Sequence, residues 1–159
     1  MTPVRTCLWY KSEAEEAAAF YTALVPGSSI ERIDRPAPGR PAVLVHFTLA
    51  GTPFTALSAG EAATHSHAAS VVVTMPDQAG IDRIWQAILD HGGREVDCGW
   101  IADRWGVNWQ VVPDGLHEMM FGADAAAGQR TYAALRGMKK LDLAALTAAH
   151  AGEDARCPT

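Results

Sequence analysis

The sequence lacks long hydrophobic runs, clusters of basic residues and a leader-like N-terminus. No segment of the 159 residues approaches the ~18 continuous apolar residues of a membrane span, and "MTPVRTCLWYKSE" has no apolar run of signal-peptide length. The formal net charge is -5, whereas a protein that binds a phosphate backbone needs grouped Lys and Arg side chains. We therefore expect a cytoplasmic protein that binds neither membranes nor nucleic acids.

Cysteine is also scarce and is not arranged for chemistry. The three thiols, Cys7, Cys98 and Cys157, are odd in number and contain no CxxC pair of the kind used for zinc or redox work. No histidine or other base is placed near Cys98 by sequence spacing, so burial is favoured over a nucleophilic role. We expect reduced cysteines that serve mainly in packing.

The order of secondary structure elements occurs twice along the chain. In the first half, "TCLWY" predicts a strand, Ser12 and Glu15 form a capping box for a helix, and "SIERID", "AVLVHFTL" and "PFTALS" predict three further strands. In the second half, "ASVVVTM" predicts a strand, Asp77 caps an amphipathic helix, and three short strands end in "VNWQVV". Beyond Gly115 the pattern is helical, so each half predicts a βαβββ unit.

Spacing within the two halves indicates an internal repeat. Thr6 precedes Tyr21 by fifteen residues, as Ser70 precedes Trp85, and Gly51-x-x-Phe54-Thr55 is matched by Gly106-x-x-Trp109-Gln110. The sequence therefore predicts an α+β protein built from two βαβββ modules, followed by C-terminal helices. The predicted ranges are 3–60 for module one, 67–115 for module two, 116–150 for the helical segment and 151–159 for a frayed tail.

Three stretches carry a resemblance to a known family, namely "EAEEAAAFYTALVPGS" after the first strand, "CGWIADRWGVNWQVVP" late in the second module, and "MKKLDLAALTAA" near the C-terminus. Together with the paired modules, they resemble the PhnB-like branch of the vicinal oxygen chelate superfamily, which includes glyoxalases, extradiol dioxygenases and bleomycin-resistance proteins. The resemblance implies a single domain over residues 1–159, whose modules form a curved, glyoxalase-like mixed sheet around a concavity.

The resemblance also implies where a metal would be held. Metal-dependent members use four side chains, from the first and last strand of each module, and the repeat register places these at Thr6, Thr55, Ser70 and Gln110. A catalytic divalent metal typically needs three ligands drawn from imidazole, carboxylate or thiolate, which this set does not provide. We therefore expect no metal and no cofactor, and a cavity that binds an uncharged or weakly polar organic molecule with Gln110 as its central contact.

Strand alternation divides the remaining candidates between two faces. Trp9, Phe54 and Trp109 are predicted to lie under the helices. Trp100 is predicted as a pocket wall or dimer contact with Asp103 near the rim, although ordinary edge packing remains an alternative for Trp100. The cavity face is predicted to hold Thr6, Leu8, Tyr10, Thr55, Leu57, Ser70, Val72, Asn108 and Gln110.

Several function classes remain open. A metal-free small-molecule binding protein, acting by sequestration or sensing, is favoured. An alternative is a metal-dependent lyase, isomerase or dioxygenase with unusual ligands such as His46, His65, His67 or Glu118. A methyltransferase, as relatives are sometimes labelled, fits less well because the chain lacks a glycine-rich loop for a nucleotide-like cofactor. A purely structural role would require a concavity filled by side chains.

The C-terminal helical pattern suggests how copies of the chain could associate. Leu141, Leu143 and Leu146 give an apolar helix face that is larger than a free tail should expose. Together with the family resemblance, this face predicts a homodimer.

Overall fold

The computed structural model describes residues 4–62 and 64–153, and the chain divides into two compact units between Thr64 and His65. Unit one contains a four-stranded sheet and one helix. The elements are β1 (Thr6–Tyr10), α1 (Ala14–Leu24), β2 (Ser29–Asp34), β3 (Leu44–Leu49) and β4 (Thr52–Ser58). The strands follow the order β1-β4-β3-β2, with β1 parallel to β4 and the other pairs antiparallel.

Unit two repeats this plan and adds three helices. The elements are β5 (Val71–Met75), α2 (Gln78–Asp90), β6 (Arg94–Glu95), β7 (Trp100–Ala102), β8 (Asn108–Pro113), α3 (Leu116–Phe121), α4 (Ala125–Arg136) and α5 (Leu143–Ala151). The sheet has the order β5-β8-β7-β6, again with one parallel pair, so the predicted duplication of a βαβββ module and the α+β class are confirmed. That the two units form a single domain stays a prediction.

Each sheet buries the side that carries its helix, which we call the helix side, and we call the opposite side the open face. In unit one, the ring centroids of Tyr21 on α1 and Phe47 are 6.3 Å apart. The ring of Phe47 in turn stacks on that of Phe54, with centroids 5.5 Å apart. Phe54 is therefore a core residue, as predicted. Small side chains at Ala17 and Ala18 of α1 are fully buried and let the helix lie close to the sheet.

In unit two, α2 supplies the predicted apolar stripe to the core. The Asp77 side chain accepts a hydrogen bond from the Gly80 amide at 2.7 Å and caps this helix. Its buried residues, Ile81, Ile84, Trp85 and Ile88, share the core with Ile101, Trp109 and Val111. Trp109 is fully buried, which confirms its assignment to the helix side.

The first strand of unit one faces the opposite way from the prediction. The hydroxyl of Tyr10 lies 3.0 Å from that of Tyr21 on α1, and both residues are buried. Strand alternation places Thr6 and Leu8 on this helix side with Tyr10, so the assignment of all three to the cavity face is wrong. Trp9, predicted under the helix, lies on the open face and is 44% exposed.

The cause is a difference of one residue between the two modules. Residues 11–13 connect β1 to α1, whereas only residues 76–77 connect β5 to α2. Matching the helices, as the spacing of Tyr21 and Trp85 suggested, therefore misaligns the first strands by one position. Because side chains alternate along a strand, a shift of one residue exchanges its two faces.

The C-terminal segment packs inside unit two. Leu141 and Leu146 are fully buried and, with Leu135, form a cluster against which Val112 of β8 also packs. The amide of Cys98 donates to the carbonyl of Met138 at 2.7 Å, which ties the segment to the turn before β7.

The apolar face on which the homodimer was predicted is thus largely used within the unit. The homodimer stays a prediction, and the apolar face of the C-terminal segment no longer supports it. Helix α5 continues to Ala151, and residues 154–159 of the predicted tail lie outside the described residues. Within the described ranges, no helix is long and apolar enough to cross a membrane.

Candidate ligand-binding site

The open face of unit two forms the floor of a cleft of about 390 Å³. Strands β5 and β8 contribute Val72, Thr74, Gln110 and Val112 to this floor. A turn at 113–115 leads into α3, whose residues Leu116, His117, Glu118, Met120 and Phe121 form the facing wall. Sites for small organic ligands commonly occupy about 300–1,000 Å³ and combine apolar walls with a few polar groups. The cleft has this size and this composition.

Gln110 is the central polar group of the floor. Strand pairing places it between Val72 of β5 and Trp100 of β7. Its side-chain nitrogen donates to the hydroxyl of Ser70 at 2.8 Å. An amide side chain has two N–H donors and an oxygen acceptor, so this bond orients Gln110 while leaving further hydrogen-bonding capacity for a ligand.

Trp100 and Asn108 lie on the open face beside Gln110 but do not line the cleft. The ring of Trp100 makes an edge contact with His67, with centroids 5.9 Å apart. Asn108 is 3% exposed and donates from its amide nitrogen to the Gly106 carbonyl at 3.4 Å. Among the described residues, no group hydrogen-bonds to its side-chain oxygen.

Asp103 does not lie near a rim. It is 4% exposed, and one carboxylate oxygen accepts from the amides of Trp105 and Val107 at 2.9 and 3.0 Å. The other oxygen accepts from the indole nitrogen of Trp109 at 3.1 Å. Because three donors converge on it, the carboxylate turns inward and anchors the turn between β7 and β8, so its predicted place at the rim is corrected.

The open face of unit one carries a different set of groups. Thr55 and Leu57 lie on it, as predicted, together with Cys7 and Trp9. The hydroxyl of Thr55 lies 3.1 Å from His46 Nδ1, and His46 Nε2 lies 3.4 Å from an oxygen of Asp34.

Cys7 pairs with Thr55 in the ladder, and partial burial raises the pKa of its thiol. Neutral thiol is therefore favoured over thiolate at this position, and a thiolate is the form that binds metals or attacks electrophiles.

A family model described as 3-demethylubiquinone-9 3-methyltransferase matches residues 2–112 of the chain. The chain belongs to this PhnB-like family of the vicinal oxygen chelate superfamily. No protein of curated function matches it.

Solved structures of PhnB-like and related proteins have the same fold. A Bacillus cereus PhnB protein with a suggested 3-demethylubiquinone-9 3-methyltransferase activity is 29% identical, with a TM-score of 0.59 over 70% of this chain and 99% of its own. A Pseudomonas aeruginosa protein is 18% identical, with a TM-score of 0.57 over 72% of this chain and 100% of its own. The fosfomycin resistance protein FosX from Mesorhizobium loti is 10% identical, with a TM-score of 0.50 over 69% of this chain and 89% of its own.

The metal that other members of the superfamily hold does not fit the residues of this PhnB-like chain. With the register corrected, the ladder positions opposite Thr55 and Gln110 are Cys7 and Val72, so this set contains a single thiol and no imidazole or carboxylate. Within residues 4–62 and 64–153, no three His, Cys, Asp or Glu side chains come together as a metal site. The alternative of a metal held by unusual ligands such as His46, His65, His67 or Glu118 stays a prediction.

The sequence did not reveal the wall of the cleft. Of the α3 residues, only Glu118 was considered, and then as a metal ligand. The available signal was Leu116 and Met120 four residues apart after Gly115, which marks a short helix with one apolar side. On the open face of unit one, Cys7 and Trp9 were also missed, because the connector length hid their orientation.

Proposed function

We propose that this PhnB-like protein binds a small, weakly polar organic ligand in the cleft of unit two and does so without a divalent metal. The observation that carries the proposal is the position of Gln110, whose amide is held by Ser70 at the centre of a floor with apolar neighbours. Such a protein would act by sequestering or sensing its ligand.

The chemistry of the cleft favours a ligand that is largely apolar and has at least one hydrogen-bonding group. Val72, Val112, Leu116 and Met120 offer hydrocarbon surface that gains free energy when water is displaced. Gln110 offers an amide that can donate to, or accept from, the polar group of the ligand. If the Gln110 amide or the polar group of the ligand were buried without a hydrogen-bond partner, binding would be weaker. Gln110 therefore selects ligands whose polar group can hydrogen-bond to its amide.

Catalysis by methyl transfer, which the family description names, has less support. Nucleotide-like cofactors are commonly held by a glycine-rich loop at the end of a strand in a parallel, alternating βα sheet. Each sheet described here has only one parallel pair, and the chain has no such loop between a strand and a helix. Reversible ligand binding is therefore the function that we propose.

The test is the substitution Gln110→Leu, which keeps the size of the side chain and removes its hydrogen-bonding groups. Ligands found by a thermal-shift screen should stabilise the wild-type protein, because a ligand that binds only the native state raises its apparent stability. The variant should fold and should bind the same ligands about 5- to 150-fold more weakly, equivalent to about 1–3 kcal/mol. Isothermal titration calorimetry measures this difference.

Gln86→Leu is the matched control, because Gln86 is an exposed residue of α2 whose side chain donates a hydrogen bond to nearby Asp90. It should leave the affinity unchanged. The proposal fails if Gln110→Leu binds as tightly as the wild type. It also fails if protein purified without added metal contains stoichiometric zinc, nickel, manganese or iron by mass spectrometry.

A further inference from the structure

We infer that helix α3 is the part of the cleft that determines which ligands bind, and that Phe121 is the residue of α3 that selects them. This inference rests on the proposed function, since it concerns the same site. It assigns the choice of ligand to a part of the chain outside the family match, which ends at residue 112, one residue before the turn that leads to α3.

The inner side of α3 is fixed to the body of unit two. Leu116 and Met120 pack on the cluster of Leu135, Leu141 and Leu146. At the C-terminal end, Gly128 of α4 lies so close that a Cβ there would collide with the Met120 carbonyl oxygen. The helix backbone is thus held in place from both sides, so the cleft has a wall of defined position.

The outer side of α3 is free to vary without loss of this packing. Phe121 is 70% exposed, and its ring contacts that of His117 one helical turn earlier, with centroids 5.2 Å apart. Neither residue belongs to the buried core of the unit. Substitutions at Phe121 should therefore change the cleft and leave the fold intact.

Exposed apolar surface inside the cleft indicates the class of ligand. Val72 on the floor is 57% exposed, and Phe121 on the wall lines the same cleft. Single exposed apolar side chains are common on protein surfaces, but apolar groups that line one concave site are typical of a binding surface. The cleft therefore fits an uncharged compound with an aromatic or alicyclic body and one hydrogen-bonding group directed at Gln110.

The experiment uses the full chain and the uncharged fluorescent aromatic amine N-phenyl-1-naphthylamine, whose emission rises when it enters an apolar site. Phe121→Ala should weaken the binding of this probe about tenfold or more, since aromatic residues are frequent energetic anchors in binding sites. Met119→Ala is the matched control, because Met119 lies on the same helix and does not line the cleft. It should leave the affinity within about twofold of the wild type, as expected for a residue outside the contact.

A second variant tests the direction of the size effect. Phe121→Trp should reduce the space of the cleft and weaken the larger N-phenyl-1-naphthylamine more than the smaller 1-naphthylamine. Circular dichroism and the urea midpoint should show that all three α3 variants fold like the wild type.

The outcomes separate this inference from the proposed function. If Gln110→Leu weakens probe binding while Phe121→Ala does not, or if Met119→Ala weakens it equally, the inference is wrong and the proposed function stands. If the wild type does not bind the probe, the inference is wrong, and the proposed function is decided by the ligands of the thermal-shift screen. If the wild type binds the probe and Gln110→Leu binds it equally well, both are wrong. The inference is supported if Phe121→Ala weakens binding of the probe and Met119→Ala does not.

Discussion

Replacement of Asp103 should destabilise unit two more than replacement of any exposed carboxylate. The carboxylate is almost completely buried and accepts three hydrogen bonds, from the amides of Trp105 and Val107 and from the indole of Trp109. Hydrogen bonds to a charged group contribute about 1.5–3 kcal/mol each, although such terms do not add in full. The Trp109 indole has no exposed surface and would lose its hydrogen bond to Asp103 without gaining one to water.

For Asp103→Ala we therefore expect the free energy of unfolding to fall by about 3–5 kcal/mol. Asp103→Asn should cost less, about 2 kcal/mol, because its oxygen can still accept from the two backbone amides. Its NH₂ group, however, would face the indole N–H of Trp109, which places two donors against each other. The expected order of stability is wild type, then Asn, then Ala.

Urea unfolding followed by tryptophan fluorescence measures these differences. Four of the five tryptophans lie in unit two, so the signal mainly reports that unit. With a slope of about 2 kcal/mol per molar urea, the Asp103→Ala midpoint should fall by about 1.5–2.5 M. Asp97→Ala, at an exposed position before β7, is the control and should change stability by less than about 0.5 kcal/mol. A loss below about 1 kcal/mol for Asp103→Ala would refute the structural role given to this carboxylate.

Two further predictions concern one residue in each unit. Because burial raises the pKa of the Cys7 thiol, its alkylation by iodoacetamide in a background without the other cysteines should be slower at pH 8 than that of free cysteine. Its rate should also still increase above pH 9, and a rate that levels off below pH 8 would contradict this. Gln78 donates to the Leu141 carbonyl at 3.1 Å and accepts from the Leu143 amide at 2.8 Å, so Gln78→Ala should lose both links between α2 and the start of α5. Hydrogen exchange of α5 should then be about 5- to 150-fold faster, equivalent to about 1–3 kcal/mol, and unchanged exchange would show that the cluster around Leu141 suffices.

The sequence predicted those features that depend on local patterns. Alternation around Gln110 identified the open face of β8, and the helical stripe of Ile81, Ile84 and Ile88 identified the core side of α2. Both depend only on the period of one element, which is fixed by backbone geometry. The duplicated order of elements followed from the same patterns.

The failures all depend on contacts between residues that are distant in sequence or on the exact length of a connector. Asp103 is predicted near a rim, and nothing in the sequence indicates that the Trp109 indole reaches it. Leu141 and Leu146 were correctly recognised as an apolar face, but the partner of that face, Leu135, lies in another helix of the same unit. Periodicity identifies which side of an element is buried and does not identify what covers it.

The extra residue between β1 and α1 bears on how the two halves of this duplicated chain diverged. At matching ladder positions, the first half offers a thiol and an indole, Cys7 and Trp9, where the second half offers Val72 and Thr74. Substitutions in the strands are one way to obtain such a difference. Insertion or deletion of a single connector residue is another, because it replaces the whole outward-facing set of a strand in one event. Repeats of this type can therefore acquire unrelated chemistry in their two halves while topology is preserved, and descent is traced more securely through strand pairing than through helix-anchored alignment.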